Sequence, residues 1–136
     1  MPLERSAPAA GRPRAPTRPT ISGIVACCNE EANIEACLDS LRWCDEIVVV
    51  DSFSSDRTPE LARQHPNVRF FQRTYFGDGS QRNWAINAAT GDWVLILDAD
   101  ERCSPALREE IESVLREEPT ADAFTIPRRT SPEANR

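Results

Sequence analysis

The stretch DWVLILDADE, residues 92–101, runs five large apolar residues straight into three carboxylates. An apolar run of this length is typical of a strand that is buried on both faces, as in parallel α/β sheets. Because ligands bind at the carboxyl ends of the strands in such sheets, Asp98 and Asp100 are expected to meet solvent and substrate together. The stretch therefore predicts a core strand with a functional end.

Asp98 and Asp100 are separated by one residue, which indicates a metal site. Two hard oxygen ligands suit Mg²⁺ or Mn²⁺, with the remaining coordination left for water and phosphate oxygens. A single D-x-D is weak evidence, since the same residues also form ordinary solvated turns. The pattern alone leaves open both a metal-dependent nucleotide site and a plain turn.

Length, charge and cysteine content narrow the class of protein. The 136 residues suffice for one folded domain, and a net charge of −6 argues against a nucleic-acid partner. The five cysteines are odd in number and include no C-x-x-C pair, so we expect buried apolar thiols in a reducing compartment. No apolar stretch reaches the roughly 18 residues that a membrane span needs. These features predict a cytoplasmic protein and leave open peripheral contact with the inner face of the membrane.

The start of the chain differs in composition from the rest. Residues 1–20 are rich in proline, arginine and alanine and hold little that could be buried. They also lack the apolar core of a secretory signal. We predict a disordered tail over residues 1–20, one folded domain over 21–129 and an irregular end over 130–136.

Four further strands are indicated by short apolar runs. They are predicted at residues 21–28, 46–50, 68–72 and 123–126. The run at 68–72 is interrupted by polar side chains, which is typical of a strand near the edge of a sheet.

Helices are predicted between these strands. The first is expected directly after the first strand, with Asn29 as its N-cap, and the second at Thr58 and Pro59. The third is expected over residues 81–90, after a break at residues 78–80, with Gly91 as its C-terminal stop. Ser104-Pro105 is a cap and first-turn pair that should open the last helix.

Strands that alternate with helices predict an α/β protein with three α/β/α layers and a mostly parallel sheet. Three polar clusters then follow three of the strands: Asn29-Glu30-Glu31, Asp51-Ser52 and Asp98-Ala99-Asp100. Parallel strands place these clusters along one edge of the sheet. Their convergence is more specific than any single motif.

Residues 26–31 (ACCNEE), 47–58 (IVVVDSFSSDRT), 81–83 (QRN) and 98–101 (DADE) resemble the successive motifs of family 2 glycosyltransferases. Within that family they are similar to small bacterial enzymes of the lipopolysaccharide core β-glucosyltransferase type. The resemblance implies the GT-A fold, a Rossmann-like nucleotide-diphospho-sugar transferase domain. It also implies a nucleotide-sugar donor, with a UDP-sugar expected, a divalent Mg²⁺ or Mn²⁺ ion, and a glycan or glycolipid acceptor in cell-envelope lipopolysaccharide biosynthesis.

The resemblance also implies roles for individual residues. Asp51 would hydrogen-bond the nucleobase, since an acceptor-only group selects a ring N–H. Arg82 would lie near the diphosphate, which a guanidinium can pair bidentately. Asp98 would face the ribose and Asp100 would hold the metal. The complete set of implied donor-binding residues is Ala26, Cys28, Asn29, Glu30, Glu31, Asp51, Arg82 and Asp98.

Simpler roles stay open for some of these residues and their neighbours. Asn29 and Thr58 could be helix caps, and Asp56 could close its own turn. Arg82 could be a solvated helix residue. Phe53 departs from the family, which usually has glycine at that position, so the loop is expected to be shaped differently.

Sugar transfer also requires a general base that deprotonates the acceptor hydroxyl. In family 2 that carboxylate lies well beyond the D-x-D strand, and no residue of this sequence matches it. The family also continues past a stretch like IPRR, residues 126–129, into an acceptor-binding half. We therefore expect a donor-binding portion, truncated relative to the family, that is incomplete for catalysis by itself.

Three other classes of protein were weighed against this resemblance. A haloacid dehalogenase-type phosphatase also uses Asp-x-Asp after a buried strand, but on its first strand. A receiver domain would need a downstream lysine, and the sequence has none. A non-catalytic module that binds nucleotide sugars is the remaining alternative.

Overall fold

The computed structural model describes residues 2–5, 19–117 and 123–125. These residues form, in chain order, β1 (Pro2–Arg5), β2 (Ile21–Cys27), α1 (Ile34–Asp39), β3 (Glu46–Asp51), α2 (Thr58–Arg63), β4 (Val68–Gln72), α3 (Asp78–Ala88), β5 (Trp93–Asp98), α4 (Pro105–Arg116) and β6 (Ala123–Thr125).

The strands form one sheet in the order β4-β3-β2-β5-β1-β6. Strands β4, β3, β2 and β5 are parallel, and β1 pairs antiparallel with both β5 and β6. This arrangement confirms the mostly parallel sheet, the edge position of β4 and the strand predicted at 123–126. Because β2 is flanked by β3 on one side and β5 on the other, the direction of winding reverses between β2 and β5. Ligands of open α/β sheets bind at such a switch point.

Strand β5 is buried on both faces, as its unbroken apolar run predicts. Trp93, Leu95 and Leu97 pack into the core layer beneath α1, α2 and α4. Val94 and Ile96 face the opposite layer, where Ala85 and Trp84 of α3 cover the sheet. Helices therefore lie on both faces, which confirms the three-layer architecture.

The predicted disordered tail is wrong for Pro2–Arg5, which form β1 between β5 and β6. Leu3 is only 1% exposed and pairs with Leu95. Leu3 therefore belongs to the hydrophobic core, and backbone pairing with β5 and β6 holds the segment in the sheet. The rest of the tail up to residue 18 and the irregular end predicted at 130–136 lie outside the described residues.

Two predicted helix starts are also wrong. Helix α1 begins at Ile34, because Asn29 has a φ of 53° and its side chain bonds the loop after β3 instead of capping a helix. Thr58 lies inside α2, whose N-cap is Arg57. By contrast, Ser104 caps α4 as predicted, since its Oγ accepts the Leu107 N–H at 3.1 Å.

Helix α3 begins at Asp78, where the sequence indicated a break, and ends at Ala88. Ala89 already has an extended backbone, with ψ of 147°, so Gly91 does not end the helix. Gly91 instead allows a close approach of two backbone segments, because a Cβ there would lie 2.8 Å from the Ser22 nitrogen. The predicted role of Gly91 is therefore wrong.

Among the described residues, no helix combines the length and the hydrophobicity that crossing a bilayer requires.

Glu46 joins three elements at the amino end of the sheet. Its carboxylate accepts hydrogen bonds from Ser22 Oγ at 2.6 Å, the Thr90 N–H at 2.6 Å and Arg69 Nη1 at 2.9 Å. Partial burial raises the pKa of Glu46, but the hydrogen bonds outweigh that effect and hold the pKa below its ordinary value of 4.5.

This depressed pKa gives the fold a pH dependence. A carboxylate with a lowered pKa in the folded state stabilises the protein at higher pH, and that contribution is lost as pH falls through the folded pKa. We expect Glu46→Gln to reduce the loss of unfolding free energy between pH 7 and acid, measured by urea denaturation. Glu109→Gln, at an exposed site on α4, is the control. An identical pH profile for wild type and Glu46→Gln would contradict the prediction.

Candidate functional site

The loops after β2 and β3 are tied together by hydrogen bonds. The Asn29 N–H donates to Ser54 Oγ at 2.7 Å, and Asn29 Oδ1 accepts the Ser55 N–H at 2.8 Å. Reciprocal bonds of this kind fix both loops, and they account for the positive φ of Asn29, a residue that tolerates the left-handed region. The side chain of Asn29 thus positions the loop.

The next two residues continue this connection. The Glu30 N–H donates to Thr58 Oγ1 at 2.8 Å, and the Glu31 N–H donates to Asp56 Oδ2 at 3.1 Å. Asp56 also closes its own turn by accepting the Thr58 N–H at 2.9 Å, which confirms the simpler role for Asp56. Desolvation opposes ionisation, but the hydrogen bonds together outweigh it and lower the pKa of Asp56. Backbone amides that could have contacted a ligand are therefore already bonded within the protein.

Asp51, the last residue of β3, is fully buried and receives four donors. Its carboxylate accepts from the Ser54 N–H at 2.8 Å, Gln72 Nε2 at 3.2 Å, Ser54 Oγ and the Cys27 thiol. A carboxylate offers about four acceptor positions, so all of them are occupied. Gln72 is the exposed donor of the set, and its amide could be replaced by another N–H without leaving a buried group unpaired.

Helix α3 meets the loop after β3 through Gln81. This buried side chain donates to Ser52 Oγ at 3.0 Å and accepts from Arg73 Nη1 at 2.6 Å. Arg82 follows it in the helix and is half-buried, with no hydrogen bond or ion pair to any other described residue. Because Gln81 contacts the loop after β3, the neighbouring Arg82 belongs to the part of α3 that lies near this edge of the sheet.

The carboxylates at the end of β5 divide into two roles. Glu101 Oε1 accepts the Asp98 N–H at 2.8 Å, and the Glu101 N–H donates to the Asp98 carbonyl at 2.9 Å, so Glu101 closes the turn. The side chains of Asp98 and Asp100 are exposed, whereas Ala99 between them is buried. Neither carboxylate accepts a hydrogen bond from the part of the chain that the structure describes.

Asp98 and Asp100 suit a hard divalent cation by their chemistry. They are oxygen donors with no competing partner among the described residues. Mg²⁺ is usually bound by one or two carboxylates together with waters and substrate phosphates. Within residues 2–5, 19–117 and 123–125, no group of three or more His, Cys, Asp or Glu side chains converges to hold a metal by itself. The residues therefore fit a metal that is shared with a phosphate ligand.

The five cysteines are free thiols, and four of them are buried. Burial raises the pKa of Cys37 to about 12 and that of Cys103 to about 11. Burial and the adjacent Asp51 carboxylate raise the pKa of Cys27 further. A protonated, buried thiol is a poor nucleophile or metal ligand. The expected packing role is confirmed for these cysteines, and Cys28 is the exposed exception.

The sheet register brings the predicted site residues together. Cys27 pairs with Asp51 across β2 and β3, and Ala26 pairs with Asp98 across β2 and β5. The polar clusters therefore line the carboxyl ends of three adjacent strands, as expected. Ser54, Gln72 and Gln81 hold this edge in shape, a role that the sequence analysis assigned to none of them, although Ser54 and Gln81 lie within its motifs.

Of these three residues, only Ser54 has a role that the neighbouring sequence could have indicated. A serine three residues after a strand-end aspartate is typical of a turn closed by the aspartate side chain, which describes Ser54 and Asp51. Gln72 and Gln81 bond partners that are 21 and 29 residues away in the chain. No sequence spacing indicates such contacts.

Phe53 has a backbone conformation that is unusual for its residue type. It adopts a φ of 55°, the left-handed conformation that glycine usually supplies. The expectation that the loop differs in shape from that of the family stays a prediction. The ring is 59% exposed, so the conformation is not compensated by burial.

Comparison with sequence families gives an extended match. The profile described as Glycosyl transferase family 2 matches residues 22–136. Lipopolysaccharide core biosynthesis glycosyltransferase LpsC of Rhizobium meliloti is 36% identical over 99 residues, covering 70% of this chain and 37% of LpsC. The TPR repeat-containing protein Synpcc7942_0270 of Synechococcus elongatus is 40% identical over 100 residues, covering 72% and 24%. The chain thus spans less than two-fifths of the length of these two relatives.

Solved structures resemble the same part of the chain. The structure of S. aureus TarS 1-349 superposes with a TM-score of 0.63 at 30% identity, covering 72% of this chain and 32% of that one. Mannosyl-3-phosphoglycerate synthase from Rubrobacter xylanophilus superposes with a TM-score of 0.60 at 25% identity, covering 71% and 37%.

Proposed function

The chain belongs to glycosyl transferase family 2, and we propose that it binds a nucleotide-sugar donor at the carboxyl ends of β2, β3 and β5 for transfer of the sugar to an acceptor. Its described residues have the fold of GT-A glycosyltransferases. Family membership argues against the phosphatase alternative. The observation that carries the proposal is the pair of exposed carboxylates at the switch point of the sheet, Asp98 and Asp100, which accept no hydrogen bond from any residue that the structure describes.

Electrostatics supports a role for a cation at this edge. Glu30 and Glu31 lie on the loop after β2, Asp98 is the last residue of β5, and Asp100 follows it. A diphosphate that approached them would be repelled unless a cation stood between the negative groups. GT-A enzymes commonly use a divalent metal, and Asp100, with Asp98 beside it, would hold Mg²⁺ or Mn²⁺ here. When bound, the ion would stabilise the negative charge of the departing nucleoside diphosphate.

The remaining donor contacts follow from the positions of the side chains. The backbone of Ala26 to Cys28 ends beside Asp51, so these residues would bound the base. A ring N–H of the base would reach Asp51 by replacing the exposed Gln72 amide. Arg82 would pair with the diphosphate, since its guanidinium has no protein partner among the described residues.

The acceptor is proposed from chemistry and from a relative. LpsC is named for lipopolysaccharide core biosynthesis, which supports a glycan or glycolipid acceptor in the cell envelope. A UDP-sugar is the proposed donor. The general base that deprotonates the acceptor stays unassigned, so the proposal for this chain concerns donor binding.

The metal role is tested by calorimetric titration of the purified chain with UDP, with Mg²⁺ or Mn²⁺ and with EDTA. We expect UDP affinity to rise with metal, and we expect Asp100→Ala to reduce the metal-dependent affinity at least about tenfold, the scale of perturbing a metal shell. Glu109→Ala removes an exposed carboxylate on α4 and should bind as wild type does.

Two results would contradict this proposal. Equal UDP affinity in Mg²⁺ and EDTA would remove the metal role of Asp100. The second concerns turnover: metal-dependent UDP binding by the protein without sugar transfer to any glycolipid acceptor would favour a non-catalytic binding module.

A further inference from the structure

We propose that the exposed ring of Phe53 stacks on the nucleobase of the donor and is the aromatic platform of this site. The inference rests on the proposed donor site and adds to it the residue that contacts the flat face of the base. It starts from a conformational outlier rather than from a motif.

Phe53 combines two features that stability alone does not explain. Its φ of 55° places a bulky residue in a region that costs an L-residue free energy, and its ring remains 59% exposed. Such outliers persist where the surrounding structure determines them, and they cluster at ligand sites. Because the ring is largely exposed, its burial contributes little stability that could offset the cost of the left-handed backbone.

The surroundings of Phe53 do determine its conformation. On one side, the Ser52 N–H donates to the Cys27 carbonyl at 3.0 Å, and on the other the Ser54 N–H donates to buried Asp51 at 2.8 Å. With both neighbours fixed, Phe53 has to bridge them through a left-handed backbone. The ring is consequently attached to a rigid loop, which suits a stacking platform because little side-chain and loop entropy is lost on binding.

The position of Phe53 fits the base end of a nucleotide. Strand β3 lies two strands from β5, a separation of about 10 Å, so Phe53 and Asp100 flank a span that an extended nucleoside diphosphate can bridge. Tyr75 and Phe76 are the other large exposed apolar side chains of the described residues. They follow β4, one strand further from the carboxylates.

Phe76 has a separate explanation for its position. The Arg73 guanidinium lies 5.5 Å from the centre of the Phe76 ring, a cation–π distance, and Arg73 also bonds Gln81. Phe53 has no such contact with another described residue. Of Phe53 and Phe76, Phe53 is therefore the one whose ring is left for a ligand.

The test compares a ligand with a base and one without. UDP and inorganic pyrophosphate are titrated, both with Mg²⁺, into wild type, Phe53→Leu, Phe53→Tyr and Phe76→Leu. Because base–aromatic stacking contributes about 5–150-fold in affinity, Phe53→Leu should weaken UDP by that factor and leave pyrophosphate unchanged. Phe53→Tyr keeps a ring, and Phe76→Leu is the matched control at the neighbouring loop; both should bind UDP as wild type does.

Phe53→Gly keeps the test informative if the leucine variant folds poorly. Glycine relieves the positive φ, so this variant should be at least as heat-stable as wild type and should still lose UDP affinity. If Phe53 only shapes the loop, Phe53→Gly should change the heat stability and should not weaken UDP binding selectively over pyrophosphate binding.

Several outcomes would overturn the proposal. Wild-type UDP affinity in Phe53→Leu or Phe53→Gly would refute stacking while leaving the donor site intact. Equal weakening of UDP and pyrophosphate would assign Phe53 to loop shape. Failure of wild type to bind UDP, ADP, GDP or CDP would instead refute the donor site itself.

Discussion

Replacement of Asp51 by alanine is expected to lower the free energy of unfolding by at least about 3 kcal/mol. The carboxylate is completely buried, and its removal leaves the Ser54 N–H, the Ser54 hydroxyl and the Cys27 thiol without their acceptor. Each buried donor that loses its partner costs about 1–3 kcal/mol. Equilibrium urea denaturation of wild type and Asp51→Ala measures the difference.

Asp56→Ala is the matched control for this experiment. Asp56 lies in the same loop and also accepts several hydrogen bonds, from the Thr58 N–H, the Thr58 hydroxyl and the Glu31 N–H. Because Asp56 is accessible to solvent, water can replace its carboxylate, and a much smaller loss is expected. Comparable losses for the two variants, or an unchanged stability of Asp51→Ala, would show that burial of the carboxylate does not control the loop.

The buried hydrogen bonds of Asp51 limit what a substitution at this residue can show about donor recognition. A group that holds a loop by several buried bonds is a positioning residue, and its replacement alters affinity by moving Ser52 and Phe53 as well as by removing an acceptor. Gln72 offers a cleaner measurement, since its exposed amide occupies the one position that a base N–H could take. The contact between Asp51 and the base stays a prediction.

Secondary structure could be predicted from the sequence where successive residues of one strand or helix are buried in a regular pattern. Strands β2, β3 and β5 are covered on both faces, so their apolar runs predicted them, and Ser104-Pro105 predicted the start of α4. Strand β1 has no such pattern. Its one described core residue is Leu3, and its pairing partner in β5 lies about 90 residues away, so local periodicity could not indicate it.

The candidate site also has a part that could be predicted from the sequence and a part that could not. The positions of Asp98 and Asp100 follow from the end of a strand and could be predicted. The interlocked loops depend on Asn29 and Ser55, which are 26 residues apart, and on a left-handed backbone at both Asn29 and Phe53. Sequence patterns that describe a single element do not contain information about two loops that fix each other.

Gly91 is a further residue whose role depends on a contact distant in sequence, and the stability of a variant can test that role. A glycine after a helix is normally interpreted as a C-terminal stop, but here its lack of a side chain lets the segment before β5 lie against β2. The Gly91 N–H donates to Ser22 Oγ at 2.9 Å, and both residues are buried. The glycine is therefore needed for backbone packing at the amino end of the sheet.

Gly91→Ala is accordingly expected to reduce the free energy of unfolding by about 3 kcal/mol, the upper end of the usual cost of overpacking. A Cβ at this position would lie 2.6 Å from Ser22 Oγ, 2.8 Å from the Ser22 nitrogen and 3.0 Å from the Ile21 carbonyl carbon, and the two backbone atoms cannot move without displacing β2. Gly79→Ala is the matched control, because a Cβ there meets nothing within 4 Å and Gly79 lies in helix α3. That substitution should leave stability unchanged or raise it by up to about 1 kcal/mol. Thermal and urea denaturation of the two variants decide the matter: if Gly91→Ala were as stable as Gly79→Ala, Gly91 would owe its presence to the end of α3 and not to the contact with β2.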